Sequence, residues 1–372
     1  MIIDLHCHYP MHLVHGELEP QGDSLWDQVV GELEQQVFDA AARAINNPAW
    51  GSDFRVDLDG LVAGRVGLVC SVLYWPPSEL LPGSPGQPKP GSFNDLVTQL
   101  DDVDEHLTDQ VVVRTAADLD RVGLRFVHCV EGGFHLGADE EAMAANVALL
   151  ASRGVLYITL AHLVFRGVAA NAPAIPPLSD EQYNDVFHQD EGVGLTPLGR
   201  AAVRAMVDHN VLVDVSHMRQ DALDDTLALL DDLDPDRELP VIASHVGVRS
   251  VGPDDQAYNV TPETMQRIAE RDGVIGLILA EHQAGRAADE KQSRAIVSAH
   301  VRAIHAALGT HAHTAIGSDL DGFIKPTLAG LQRAADLAKL EDWIRADFPD
   351  AADAILQENA ERLIRRTFAL RS

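Results

Sequence analysis

The chain opens on Met1-Ile2-Ile3-Asp4-Leu5-His6-Cys7-His8, an apolar run that stops on two histidines one residue apart. Alternate side chains of an extended strand share a face, so His6 and His8 point one way and Cys7 the other. Two imidazoles at the end of a buried strand can chelate a transition metal at ~2.0–2.1 Å per Zn–N bond. A lone His-x-His arises often by chance, and the pattern gains meaning from what recurs along the chain. Further apolar runs end on Glu131, His162, His217, His245, Glu281-His282 and Asp319-Leu320-Asp321. Histidines supply neutral nitrogen ligands, and a carboxylate can bridge two divalent ions, which clamp a water and lower its pKa towards ~7. A carboxylate on another strand end, Asp319, suits the proton transfers that hydrolysis of an amide requires. The lysines, Lys89, Lys291, Lys325 and Lys339, end no strand. A carboxylated lysine is therefore excluded as the bridge, and Glu131 is the default.

These residues need elements that bring strand ends together. Eight strand-like runs (1–7, 67–75, 123–130, 155–160, 211–215, 241–243, 274–279 and 314–316) are separated mostly by helical stretches. The helices fall at 58–64, 92–107, 140–152, 198–209, 220–233, 262–271 and 289–308, with a further one at 25–45. Two more, at 328–344 and 351–367, close the chain. Thr196-Pro197 and Thr261-Pro262 pair an N-cap with proline at the first helical position. Alternating strands and helices imply a parallel sheet, and eight units imply a (β/α)₈ barrel with extra C-terminal helices. A doubly wound open sheet is the alternative, weakened because no glycine-rich phosphate loop follows the first strand. No composition break marks a linker, so residues 1–372 read as one barrel domain with long loops at 9–56, 76–91 and 163–195. In a barrel the C-terminal strand ends converge on one face, where active sites lie. His128 has the opposite strand parity to Glu131 and is expected to face the helices. His188, His209, His300, His305, His311 and His313 fall in loops, turns or helices and are set aside. Glu281-His282 stays open between a substrate-facing pair and a structural one.

The 28 basic and 57 acidic residues leave a net charge of −29, which argues against nucleic acid or an anionic membrane as partner. Cys7, Cys70 and Cys129 each lie inside an apolar run and read as buried thiols of a reducing compartment. The N-terminal residues do not form a secretion signal, and no apolar run reaches the ~18 residues of a membrane span. A soluble cytoplasmic protein is expected.

The ordered motifs resemble those of the renal (membrane) dipeptidase family, the M19 peptidases of the amidohydrolase superfamily. They are HCH at 6–8, GRVGLVCSVLYWP at 64–76, EGG at 131–133, YITLAH at 157–162, and the segment 194–218 ending in DVSHM. PVIASHVGVRSV at 240–251, GSDLDG at 317–322 and ENAERLIRR at 358–366 complete the set. The resemblance spans essentially the whole chain. It implies a barrel holding two divalent metal ions, zinc above all, that hydrolyses dipeptides, including those with a C-terminal D-residue. It further implies that His6 and residue 8 bind one metal and His217 and His245 the other, with Glu131 bridging. His162 would polarise the scissile carbonyl and Asp319 would handle protons; a homodimer is also implied.

Two departures stand out. The family pattern is His-x-Asp on the first strand, and here position 8 is His, which makes the site more positive by one charge; two metals are still expected. The family also carries an Arg where Tyr258 stands, in the segment Tyr258-Asn259-Val260, and that Arg binds the dipeptide carboxylate. A Tyr hydroxyl does not replace a bidentate guanidinium. Either Arg249 or Arg166 takes the carboxylate, or the substrate lacks one. The alternatives to a dipeptidase are a superfamily relative acting on an N-acyl amino acid, lactone or cyclic amide, and a catalytically silent metal-binding barrel.

Overall fold

Among the described residues nine parallel strands form one sheet: β1 (Ile2–Cys7), β2 (Val66–Leu73), β3 (Val111–Val112), β4 (Arg125–Glu131), β5 (Tyr157–Thr159), β6 (Leu212–Asp214), β7 (Val241–Val246), β8 (Val274–Leu277) and β9 (Thr314–Ile316). The order is β2-β1-β9-β8-β7-β6-β5-β4-β3, and β2 also pairs with β4, from Leu68 opposite Arg125 to Leu73 opposite Val130. That second pairing closes a barrel of eight, with the short β3 lying against the start of β4. In this computed structural model residues 1–12, 55–80, 88, 92–175, 178–253, 256–322 and 326–371 are described. The helix expected at 25–45 and, of the excursion expected at 76–91, residues 81–87 and 89–91 lie outside them.

Continuous apolar runs become parallel strands because both faces are covered. One core cluster joins Ile3, Leu5, Leu68, Cys70, Val127, Cys129, Leu212 and Ile242 to Leu363, Ile364 and Phe368 of the C-terminal helix Asn359–Ala369. This helix also bonds the segments that enter the strands, Arg366 to the carbonyls of Arg237 and Glu238 and Asn359 to that of Thr314. It therefore seals the barrel end opposite the strand C-termini. A larger cluster fills the space between barrel and helices, from Ile2 and Val69 to Val203, Leu227 and Ile304.

The helices begin where capping chemistry places them. Asp139, Thr196, Thr261 and Asp289 each accept a hydrogen bond from a backbone N–H in the first turn. The short strand β3 was not anticipated, nor were two helices within the long loops. Pro76–Leu80 is a short helix, and Asp180–Val186 is a helix whose capping box, Ser179 with Gln182, is present in the sequence. The helix expected at 328–344 starts only at Leu337. Gly330 has φ +81°, which breaks the helical path, and the Leu328 N–H is drawn to the Leu279 carbonyl instead. Among the described residues no helix is long and apolar enough to cross a membrane.

Candidate active site

The barrel brings seven of the expected residues to one place. His6 lies near the end of β1, with His8 just past it, Glu131 ends β4 and His245 lies within β7. His162, His217 and Asp319 follow β5, β6 and β9. All are buried, at 0–6% exposure. Five imidazole Nε2 atoms surround the Glu131 carboxylate: His6, His217 and His245 each at 3.4 Å from Oε1, His8 at 3.1 Å and His162 at 3.2 Å from Oε2. Asp319 Oδ1 lies 3.4 Å from His8 Nε2 and 3.7 Å from His6 Nε2. His217 and Asp319 hold left-handed backbone, φ +65° and +56°, uncommon for residues other than glycine. Such strain persists where the surroundings fix it and where it aims a functional side chain.

A layer of hydrogen bonds under the cluster sets the histidine tautomers. Asp214 accepts from the Thr159 hydroxyl (2.6 Å), the Ser216 N–H and hydroxyl (3.0 and 2.8 Å), and the Ser244 N–H and hydroxyl (3.0 and 2.6 Å). Because the Ser244 hydroxyl spends its proton on Asp214, its lone pairs can only accept. They face His245 Nδ1 at 2.7 Å and His6 Nδ1 at 3.0 Å. Tyr157 likewise donates its proton to the Leu5 carbonyl (2.8 Å) and meets His6 Nδ1 at 2.9 Å. Both Nδ1 atoms therefore carry hydrogen, and both Nε2 lone pairs face the cluster. A second acid, Asp4, accepts from the Ser318 N–H and hydroxyl and fixes the end of β9 against β1.

Charge divides the cluster. Burial opposes the protonated form of His8, but Asp319 and Glu131 outweigh it and lift its pKa to about 9. His162 follows the same pattern against burial, raised to about 10 by Glu131 and Glu79. Burial, with the neighbouring imidazoles, pushes His217 down and His245 further down. His217 and His245 are thus neutral, the form a metal ligand requires, while His8 would release its proton on binding one.

The residues fit a divalent metal. Among the described residues, His6 Nε2 and both Glu131 oxygens are buried without a hydrogen-bond partner, a costly arrangement for protein alone. His217 Nε2 and His245 Nε2 lie 3.0 Å apart, within hydrogen-bond distance when one of them carries hydrogen, and both are 3.4 Å from Glu131 Oε1. His6, His8 and Glu131 form one group able to hold an ion, and Glu131, His162 and His217 another.

The remaining expectations divide. Tyr258 lines the cavity over the cluster together with Leu163, Ala174, Ile278 and Gln283. Its hydroxyl donates to the His245 carbonyl at 2.7 Å and its ring packs edge-on against His217. Arg249 bonds the carbonyls of Asn259 and Ala257, Arg166 bonds the carbonyl of Glu79, and neither lines that cavity. Gln283 lines it, whereas Glu281 accepts from the Ala287 N–H. His128 faces outward to Asp104 at 3.1 Å. His300 and His313 bond the carbonyls of Ala284 and Gly273. Asp4, Tyr157, Asp214 and Ser244 went unread, although an acid inside Ile-Ile-Asp-Leu or Leu-Val-Asp-Val is itself a signal of a buried, paired group. Glu79 left no such signal.

Comparison with known proteins supplies the family. Residues 1–371 match the profile of the membrane dipeptidases, peptidase family M19. A protein encoded in the pqqA 5′ region of Klebsiella pneumoniae is 26% identical over 264 residues, 68% of this chain and 88% of that one. Dipeptidase tcpJ of Claviceps purpurea is 27% identical over 220 residues, 57% of this chain and 42% of that protein. Among solved structures, a metallopeptidase from Rhodobacter sphaeroides, liganded with a phosphinate mimic of the dipeptide L-Ala-D-Ala, shares the fold. Its TM-score is 0.69 at 20% identity, covering 98% of this chain and 99% of that one. A barrel whose strand ends gather five histidines round one carboxylate, and whose sequence matches this profile from end to end, belongs to the membrane dipeptidase family, peptidase family M19.

Proposed function

We propose that this enzyme hydrolyses a dipeptide or a closely related small amide at the Glu131 cluster, using two divalent metal ions, most simply zinc. The observation that carries the reading is the Glu131 carboxylate, buried, without a hydrogen-bond partner among the described residues and ringed by five Nε2 atoms. His6, His8 and Glu131 would hold one ion; His217, His245 and Glu131 the other. Bound ions supply Lewis acidity and a water of lowered pKa. His162 lines the cavity and donates its Nε2–H to the carbonyl oxygen of the scissile bond, where negative charge develops. Asp319, also at the cavity, takes a proton from the attacking water and returns it to the leaving amine. The barrel acts as a single catalytic domain, a homodimer by family expectation. Its three unpaired buried cysteines suit the reducing cytoplasm.

The cavity also bears on the substrate. Leu163, Ala174 and Ile278 are apolar, Tyr258 has committed its proton, and no Arg or Lys lines the cavity among the described residues. A substrate carboxylate placed against these walls, away from the metal ligands, would find no Arg or Lys side chain to pair with. A neutral group facing Gln283 and Tyr258 suits these walls, as in a dipeptide amide or an N-acyl amine. The test is a comparison of L-Ala-D-Ala with its C-terminal amide. The amide should be cleaved with kcat/KM at least ~10-fold higher, the size of a lost neutral-to-ion mismatch. A preference for the free acid would sink this specificity, and cleavage of neither, with metals bound, would sink the peptidase reading itself.

A further inference from the structure

One buried acid near the cluster has no part in the reading above. Glu79 sits in the short helix Pro76–Leu80 after β2 and is fully buried. Its Oε2 meets His162 Nδ1 at 2.6 Å and accepts from the Tyr74 hydroxyl at 2.8 Å. Its Oε1 accepts from the Val164 N–H at 2.7 Å. The segment after β5 is thus tied on both sides, since Arg166 also bonds the Glu79 carbonyl. A carboxylate with these three contacts acts as an acceptor only, so the His162 ring must present Nδ1–H to it. The opposite nitrogen, Nε2, then points to the cluster, 3.2 Å from Glu131.

We propose that Glu79 is the positioning residue of His162, fixing the ring so that Nδ1 donates to the carboxylate and Nε2 faces the substrate carbonyl. With Glu79 at one ring nitrogen and Glu131 at the other, both nitrogens carry hydrogen, and the Nε2–H meets the developing oxyanion charge. Without Glu79 the imidazole is free to rotate or to give up its second proton, and that donor is no longer held in place. The carboxylate also stabilises the ring as that charge grows, because it faces the nitrogen remote from the substrate. Tyr74 adds a second donor to the same oxygen and holds the carboxylate in line; its ring packs edge-on against the His162 ring with centroids 4.6 Å apart.

The inference rests on the role given to His162 above, so the experiment separates the two. Glu79→Gln, His162→Asn and the double variant are assayed on L-Ala-D-Ala and its amide. The Nδ1–H proton is followed by NMR, where a short bond to a carboxylate moves it downfield of the amide region. Glu79→Gln should lower kcat on the order of 10²-fold with KM nearly unchanged, and should cost nothing further in the His162→Asn background. The downfield proton should be present in the parent and absent from both single variants. An equal loss in the two backgrounds would mean that Glu79 merely braces the loop, and would overturn the proposal. Unchanged kcat in Glu79→Gln would overturn it as well. If His162→Asn retains full activity, the role of His162 falls, while the NMR signal still decides whether Glu79 holds the ring. Tyr74→Phe, a milder change, should lower kcat less than Glu79→Gln and leave the downfield proton in place; its loss there would contradict the assignment of that proton to the Glu79 bond.

Discussion

Two layers of buried polar groups lie one above the other at the C-terminal end of the barrel, and they are built on opposite terms. In the lower layer, Asp4, Asp214, Ser244, Ser318 and Tyr157 use their hydrogen-bonding groups on one another and on the backbone. In the upper layer, His6 Nε2 and both Glu131 oxygens have no partner among the described residues. A protein that satisfies one layer so fully and leaves the next open is holding the second for something else. The lower layer sets tautomers and ring directions; the upper one presents lone pairs. This division of labour between ligands and the groups that orient them is the arrangement a metal site needs.

The contrast can be broken from either side. Glu131→Gln removes the shared anion of the upper layer, and kcat/KM should fall on the order of 10³-fold or more. Compared as metal-free proteins, the variant and the parent should differ by only a few degrees in melting temperature, because the Glu131 oxygens accept no hydrogen bond among the described residues. Retained activity would mean that the layer is not the catalytic one. Asp214→Ala should do the reverse in kind. It strands five donors in the core, and urea denaturation should register a loss of about 3 kcal/mol. If this variant unfolds no more easily than Glu131→Gln, the lower layer is not the structural one.

Ser244→Ala probes the seam between the layers. It frees Nδ1 of His245 and weakens the hold on His6, so zinc affinity should drop about 10- to 100-fold while stability falls by only ~1 kcal/mol. Equal loss in both quantities would show that the hydroxyl serves packing rather than orientation.

The smallest effect lies outside both layers and sets the background. Burial acts to raise the Asp104 carboxyl, but His128, Arg153 and Arg114 outweigh it and hold the folded-state pKa below the usual carboxylate range. In the unfolded chain that carboxyl takes up its proton near ~4. The contribution is therefore present above that pH and is lost as pH falls towards the folded value. The stability difference between the parent and Asp104→Asn should accordingly shrink as pH is lowered below ~4, and a difference that grows in acid would reverse the sign.

The upper layer was legible in the sequence because its members follow a rule of position. Each stands at or just beyond the end of an apolar strand, and a barrel turns that regularity into proximity. Residue parity carried further detail, sending His128 to the helices and Glu131 to the centre. The lower layer was half visible: Asp4 and Asp214 interrupt apolar strands, but nothing in one dimension says that Ser244 bonds both His6 and His245. Glu79 was hidden. It sits in a stretch dense in Pro and Gly, its helix is one turn long, and it meets His162 from 83 residues away. The late start of the helix at Leu337 has a similar origin, since the Leu279 carbonyl that draws Leu328 out of the helical path belongs to the segment after β8.

The central claim is that the Glu131 cluster holds two divalent ions. Zinc titration of protein stripped with chelator, followed by calorimetry and metal analysis, tests it directly. Two ions per chain are expected for the parent, with both sites weakened in Glu131→Gln, since one carboxylate serves both. One ion per chain at full hydrolytic activity, or a stoichiometry and affinity indifferent to Glu131→Gln, would contradict it.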